Sequence, residues 1–522
     1  MASLSESVPQ MFISFLHLHI SSQAATYGYL LFITTVAIVI LLRVVSRTLK
    51  PNLHLPPGPL CLPIFGNWLQ VGNVLNHLLL TQLAERYGDI MLLRMGQRNL
   101  VVVSSPELAK EVLHTKGMEF GSRIRNVVFD LFSENGQDLI FAAYGHHWRK
   151  MRRILTLSFA TNKVVRQCSA QWDEEICSFI HDLHEKPGSS TEGVVLRHRL
   201  QMLVYNTTYR ILFDRRFDRE DDPRYKELKN LNMERSMMAQ SLSYNYGDFI
   251  PMLRPFLRGY LSRCKMVKEK RLRVLQSFID DYKNDSIAPT IRNKKCAMDF
   301  ILEAQRNGEI NSANALYLVE NVNAAGMDTI IWSIEWALAE LVNHQEIQSK
   351  LRLEMETVLG KGTSLTAQDL PNMRLLHAVV KETLRLHTPV PLLVPHMNLQ
   401  QSKLGGYDIP AESRIIVNTW WLSNNPKRWK LPEDFRPERF LEEETQVEVS
   451  GNDFNFLPFG VGRRSCPGVA VAVPIISLVV GRLVQAFQLL PPPGMKAVDI
   501  AGECGQFTLH IAKHSAIVCK PL

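Results

Sequence analysis

The hydrophobic pattern of the chain changes rhythm several times. Residues 27–42, YGYLLFITTVAIVILL, carry no charge. With their flanks they approach the ~20 residues a helix needs to cross a bilayer. Arg43, Arg47 and Lys50 follow, which by the positive-inside rule puts the C-terminal side in the cytosol. A cleaved signal peptide carries its positive charge before the apolar run. Residues 1–50 therefore read as an uncleaved membrane anchor, a buried core helix being the alternative. In LHLPPGPLCLPIFGN (53–67), Pro56, Pro57 and Pro59 cannot continue a helix, and residues 51–64 read as a proline-rich hinge. Residues 88–104 read as two strands with a turn near Gly96. Residues 282–297 are polar and read as an exposed loop. Most of the remainder has helical period, so 65–522 is expected to be a mainly α body with small β-sheets.

One segment stands out. Residues 316–344, LYLVENVNAAGMDTIIWSIEWALAELVNH, form a single long, central helical candidate. Asn323, Asp328, Thr329 and Glu335 lie inside it, and buried polar groups need partners. Ala325 and Gly326 share the face of Thr329. Small side chains there leave room for a flat body or small molecule, or for a closely packed helix. Glycine in mid-helix costs about 1 kcal/mol relative to alanine, so it has a reason to be there.

Composition narrows the classes. Lys+Arg is 59 against 51 Asp+Glu, an excess suited to an acidic partner or an anionic membrane surface. No basic run is interleaved with aromatics, which argues against nucleic acid. Eight cysteines include no CxxC, which argues against a zinc site or a disulfide framework and for a reducing compartment.

Cys466 in FGVGRRSCPG (459–468) is either a structural thiol or a metal ligand. Gly460, Gly462 and Gly468 let backbone approach a large flat group. A helix suggested over 468–488 aims its N-terminal dipole at the sulfur. Arg464 can neutralise an anionic substituent. In WRKMRR (148–153), Trp148 and Arg152 are four apart and could hold a carboxylate. His396 could add a donor. Glu382 and Arg385 in KETLRL share a helical face, with Arg439 in FRPERF as a third member. On a surface such a pair is worth under ~1 kcal/mol; buried, it would fix a loop. Together the pieces suit a haem iron with Cys466 as axial thiolate and its propionates near Arg464, Trp148, Arg152 and His396.

With PPGP (56–59), WRKMR, AGMDT (325–329), ETLR (382–385), PERF (437–440) and FGVGRRSCPG in this order, the chain resembles the cytochrome P450 monooxygenases. It is similar within them to plant cinnamate 4-hydroxylases, through residues 88–115, YNYGDFIPMLRPFL (244–257), PLLVPHMNL (391–399) and YDIPAES (407–413). The resemblance implies the cytochrome P450 fold with an N-terminal transmembrane anchor helix, haem b, NADPH–cytochrome P450 reductase as electron donor, and the endoplasmic reticulum membrane. It implies para-hydroxylation of cinnamate with O2, and a proton relay through Asp328 and Thr329. Phe459 and Gly468 become haem contacts with Ala325 and Gly326. Arg149, Lys150 and Arg153 offer a basic face to the reductase, or are simply solvated.

The central helix departs from the hydroxylase pattern at Gly326, Met327 and Asp328, while Asn323 is retained. Near the C-terminus Glu503 replaces a lysine and Cys504 a glycine. Asn323, Met327, Glu503, Cys504 and Val390, in HTPVPLL (387–393), are the candidate substrate contacts. A lost cation would weaken binding of an anion. It leaves open a paralogue acting on a neutral benzenoid ester such as benzyl benzoate. A membrane-anchored haem sensor is the non-enzymatic alternative.

Overall fold

The computed structural model describes residues 30–31, 33–35, 53–72, 75–186, 188–240, 246–284, 295–500, 503–505, 508–512 and 516–522. The chain divides into residues 1–54 and a body of residues 55–522. The anchor expected over 1–50 lies outside the described residues except for helical 30–31 and 33–35. The segment expected as a hinge is described from residue 53 on. From Leu55 on it belongs to the body: Leu92 N–H donates to Pro57 O at 2.7 Å, and a Cβ on Gly58 would stand 2.1 Å from Leu92 O. Pro57 lies docked on a strand because a proline carbonyl still accepts a hydrogen bond.

Nine helices position the site: α1 His146–Phe159, α2 Asn162–Glu185, α3 Arg197–Phe213, α4 Pro223–Gln240, α5 Arg258–Asn284, α6 Ser312–Gly326, α7 Asp328–Asn343, α8 Arg374–Leu386 and α9 Val469–Ala486. Helix α1 shows the logic. Trp148, Met151, Leu155 and Phe159 recur at helical spacing and are buried. Helix α9 is long and apolar enough to cross a bilayer, yet Val471, Ile475, Ile476 and Leu478 through Val480 are buried in the core. It is a core helix.

The two strands expected over 88–104 are β1 Ile90–Met95 and β2 Arg98–Val103. They turn at Gly96, where φ is +56° and a Cβ would meet Phe249 O at 2.3 Å. With β3 Ser122–Arg123, β4 His396–Met397 and β7 Arg414–Val417, they make a five-stranded sheet in the order β1-β2-β7-β4-β3; a hairpin, β5 Ser402–Leu404 with β6 Tyr407–Ile409, precedes β7. Two further pairs close the chain: β8 Phe487–Leu490 with β11 Val518–Pro521, and β9 Glu503–Cys504 with β10 His510–Ile511.

Two expectations change. The single helix over 316–344 is two, α6 and α7, broken at Met327 with φ −90° and ψ −71°. Thr329 Oγ1 donates to Ala325 O at 2.8 Å, capturing a carbonyl that a continuous helix would give to a backbone amide. The loop expected over 282–297 starts later. Tyr282 ends inside α5, buried, and its hydroxyl lies 3.0 Å from buried Cys296 Sγ.

Candidate active site

Residues 459–468 bring Cys466 to the start of α9. Gly460 and Gly462 are left-handed, with φ +63° and +75°. A Cβ at 462 would stand 2.1 Å from Leu113 O, so only glycine fits. Cys466 N–H donates to Phe459 O at 2.8 Å. Burial pushes the thiol pKa up; amides of Gly468 and Val469 and the charge of Arg152 pull against it without reversing it. The thiolate therefore needs a metal to displace its proton.

The sulfur borders a cavity of about 330 Å3, and the surface that Cys466 exposes faces into it. Phe459, Gly468, Trp148, Arg152, Arg464 and His396 line the same cavity, as do Ala325, Gly326, Thr329 and Val390. At its cationic end, Arg152 donates to Ser465 O at 2.6 Å. Arg464 donates to the carbonyls of Gly121 at 2.7 Å, Leu139 at 3.3 Å and Ala142 at 2.5 Å, and its Cζ lies 4.4 Å over the Trp148 ring. Burial lowers its pKa to about 9, against the field of Asp138.

His396 differs from the donor expected. Its Nδ1–H donates to Phe120 O at 2.8 Å, which leaves Nε2 a lone pair in the neutral ring. Burial first, then Arg123 and Arg464, hold its pKa well below the usual value. His396 can donate to an anion only by taking up a proton.

Arg123, on β3, escaped the sequence reading. It is buried at the cavity, and its Nε has no hydrogen-bond partner. A buried cation with an orphaned donor calls for an anion. The set fits haem: one thiol for the iron, glycine backbone for a flat face, and arginines for propionates. Among the described residues no group of three or more His, Cys, Asp or Glu could hold a bare metal ion, whereas a haem iron needs one such ligand from the protein.

Several expected residues lie elsewhere. Asn323 is buried, donates to Val319 O at 3.0 Å and accepts from Tyr209 Oη at 3.2 Å. Met327 sits buried at the helix break. Asp328 is off the cavity wall; burial raises its pKa against Arg197, Arg271 and Arg235. Cys504 stands on β9 outside the cavity lining, and Thr508, before β10, lines the cavity. Helical period could not place Asp328, because the break at Met327 resets which face follows it.

Glu382, Arg385 and Arg439 are fully buried away from the cavity. Arg385 meets both oxygens of Glu382, at 2.8 and 2.9 Å, and Arg439 donates at 3.0 Å. The arginines also hold the carbonyls of Ser423, Lys430, Leu431 and Pro432.

Arg235 and Asn321 were missed as well. Both line the cavity, from α4 and α6. Arg235 Nε lies 3.4 Å from Glu320 Oε1 but makes no hydrogen bond, while Arg271 holds Glu320 Oε2 at 2.6 Å. Asn321 accepts from Leu139 N–H at 2.7 Å and donates to Asp138 Oδ2 at 3.3 Å.

Fold and site together define a haem-thiolate oxygenase. The family described as Cytochrome P450 matches residues 56–518. The chain is 61% identical over 480 residues to the trans-cinnamate 4-monooxygenase of Populus tremuloides, across 91% of this chain and 95% of that protein. The enzyme of the same name from Catharanthus roseus is 60% identical over 488 residues, 93% and 97% of the two chains. A zebra fish cytochrome P450 solved with abiraterone superposes with a TM-score of 0.71 at 28% identity, covering 85% of this chain and 99% of that one. The chain belongs to the cytochrome P450 family. It is a monooxygenase that uses haem and NADPH-derived electrons.

Proposed function

We propose that this enzyme hydroxylates trans-cinnamate at the para ring carbon to give 4-coumarate. Relatives at 60–61% identity carry the name trans-cinnamate 4-monooxygenase. The observation within the chain that best supports an anionic substrate is Arg235. It sets a guanidinium at the border of a largely apolar cavity, and Glu320 already has Arg271 as its partner. The lost lysine at position 503 therefore does not leave the cavity without a cation. A neutral ester would leave Arg235 sharing the single carboxylate of Glu320 with Arg271, so that reading gains nothing from the site, nor does the sensor reading.

Haem, held by Cys466 and met by Arg123, Arg152, Arg464 and Trp148, would supply the oxygen-activating chemistry, with the thiolate lending it electron density. Arg235 holds the substrate carboxylate through charge-assisted hydrogen bonds. Val390, Leu393 and Ile330 border the ring and exclude water. Thr329 donates its hydroxyl proton to Ala325 O, which leaves its oxygen to accept from a water in the cavity and orient it. Asp328 lies behind the break, where burial raises its pKa against the pull of Arg197, Arg271 and Arg235, and completes the relay with Thr329.

Electrons arrive from NADPH–cytochrome P450 reductase. Exposed Arg149 and Arg463, with Lys150, offer it a basic face, whereas Arg153 is tied to Glu309. Residues 1–50 anchor the body to the endoplasmic reticulum membrane with its catalytic part in the cytosol. The test is microsomes carrying the enzyme and reductase, given NADPH with cinnamate or benzyl benzoate. Formation of 4-coumarate from cinnamate is expected; its absence, with hydroxylated ester instead, overturns the reading.

A further inference from the structure

The cavity wall from His387 to Val394 is held against its own backbone preference. Leu393 has φ +53°, a left-handed conformation that non-glycine residues avoid. Such strain persists only where the surroundings over-determine it. Pro389, Val390 and Leu393 all line the cavity, and a Cβ at Gly460 would lie 3.7 Å from Leu393 Cδ1, so the wall rests on the loop that carries Cys466.

The middle of the wall is tied by its carbonyls. Thr419 Oγ1 donates to Pro391 O at 2.9 Å. Trp420 N–H reaches the same oxygen at 3.0 Å, and Leu509 N–H donates to Pro389 O at 2.8 Å. The start of the wall is tied differently. His387 Nε2 lies 2.6 Å from Glu340 Oε1, as donor to acceptor, and both side chains are buried. The Trp336 ring stacks on His387 with centroids 5.0 Å apart and planes 9° from parallel. The other Glu340 oxygen faces His344 Nδ1 at 3.4 Å. Burial pushes the Glu340 carboxyl up, but hydrogen bonds from His344 and His387 outweigh it and hold it below the usual range. Glu340 and Trp336 belong to α7, the helix whose first turn carries Thr329.

We propose that Glu340 and His387 form a positioning pair that pins this cavity wall to α7 and thereby selects which ligands fit beside Cys466. Neither side chain lines the cavity; they act through Pro389, Val390 and Leu393. The proposal rests on the cavity described above and not on cinnamate as the substrate.

A substrate-independent readout separates the two. Imidazole and 4-phenylimidazole both bind haem iron through nitrogen and differ by one ring, so their affinity ratio, read by spectral titration of the haem-loaded full chain, reports the wall. His387→Phe keeps a ring against Trp336 but removes the donor, and is expected to shift the ratio by about fivefold, the worth of one lost hydrogen bond. His387→Gln restores an N–H donor and is expected to stay within about twofold of the parent. Glu340→Gln combined with His387→Phe is expected to shift the ratio no further than His387→Phe alone. An unchanged ratio in His387→Phe, or equal shifts in the Phe and Gln variants, overturns the proposal. Should His387→Phe fail to take up haem, Glu340→Leu, which removes both acceptor oxygens, decides: a shift in the same sense supports the pair, and a parental ratio overturns it.

Discussion

Arg235 places a charge where the cavity is otherwise mostly apolar, and its cost depends on its partners. Glu320 neutralises Arg271 at 2.6 Å and stands 3.4 Å from Arg235, so substituting Arg235 does not strand the carboxylate. Arg235→Leu is thus expected to keep the fold and raise KM for cinnamate roughly ten- to hundredfold, the range for a hydrogen bond to a charged group. Binding of a neutral aromatic of similar size is expected to change little. Equal losses for both ligands would show that Arg235 serves the fold and not the anion. Single residues were legible where a short motif carried them: Cys466 between its glycines, Glu382 with Arg385, and Trp148 with Arg152. Arg123 and Arg235 were not, because nothing beside either one in sequence marks it. Their roles come from β3 and α4 meeting a cavity formed by distant segments. His396 was legible as a residue but not as a tautomer, which the carbonyl of Phe120, 276 positions away, decides.

At the scale of elements, the break between α6 and α7 does most to shape the site. The apolar period runs on across 316–344, so the pattern shows one helix. A break at one residue leaves that pattern almost intact. At the break Thr329 Oγ1 donates to Ala325 O at 2.8 Å, beside Gly326. Thr329→Val keeps the shape of the side chain and removes the hydroxyl. NADPH consumption is expected to continue while product per NADPH falls by roughly fivefold, consistent with one lost neutral hydrogen bond. Unchanged coupling would remove Thr329 from water positioning. Helix α9 teaches the reverse lesson. Its composition suits a bilayer, and only its buried partners show that it is the core.

Across the whole molecule, three arginines and a histidine converge from segments far apart in the chain. Arg123 from β3, Arg152 from α1, His396 from β4 and Arg464 from the cysteine loop all border one cavity. Glu382, Arg385 and Arg439 fix the segment from Ser423 to Arg436 that precedes that loop. Mainly helical architecture with small sheets was readable from period and turn residues. The convergence was not, since it depends on the order β1-β2-β7-β4-β3, which no local pattern encodes. The proposed site turns on one bond, that of Cys466 to a haem iron. The most direct measurement is the ferrous carbonyl difference spectrum of the haem-loaded full chain beside its Cys466→Ser variant. The parent is expected to show the strongly red-shifted Soret band of thiolate ligation, and the variant to lose it. A parent spectrum typical of nitrogen ligation, or a band that survives in Cys466→Ser, would contradict the account.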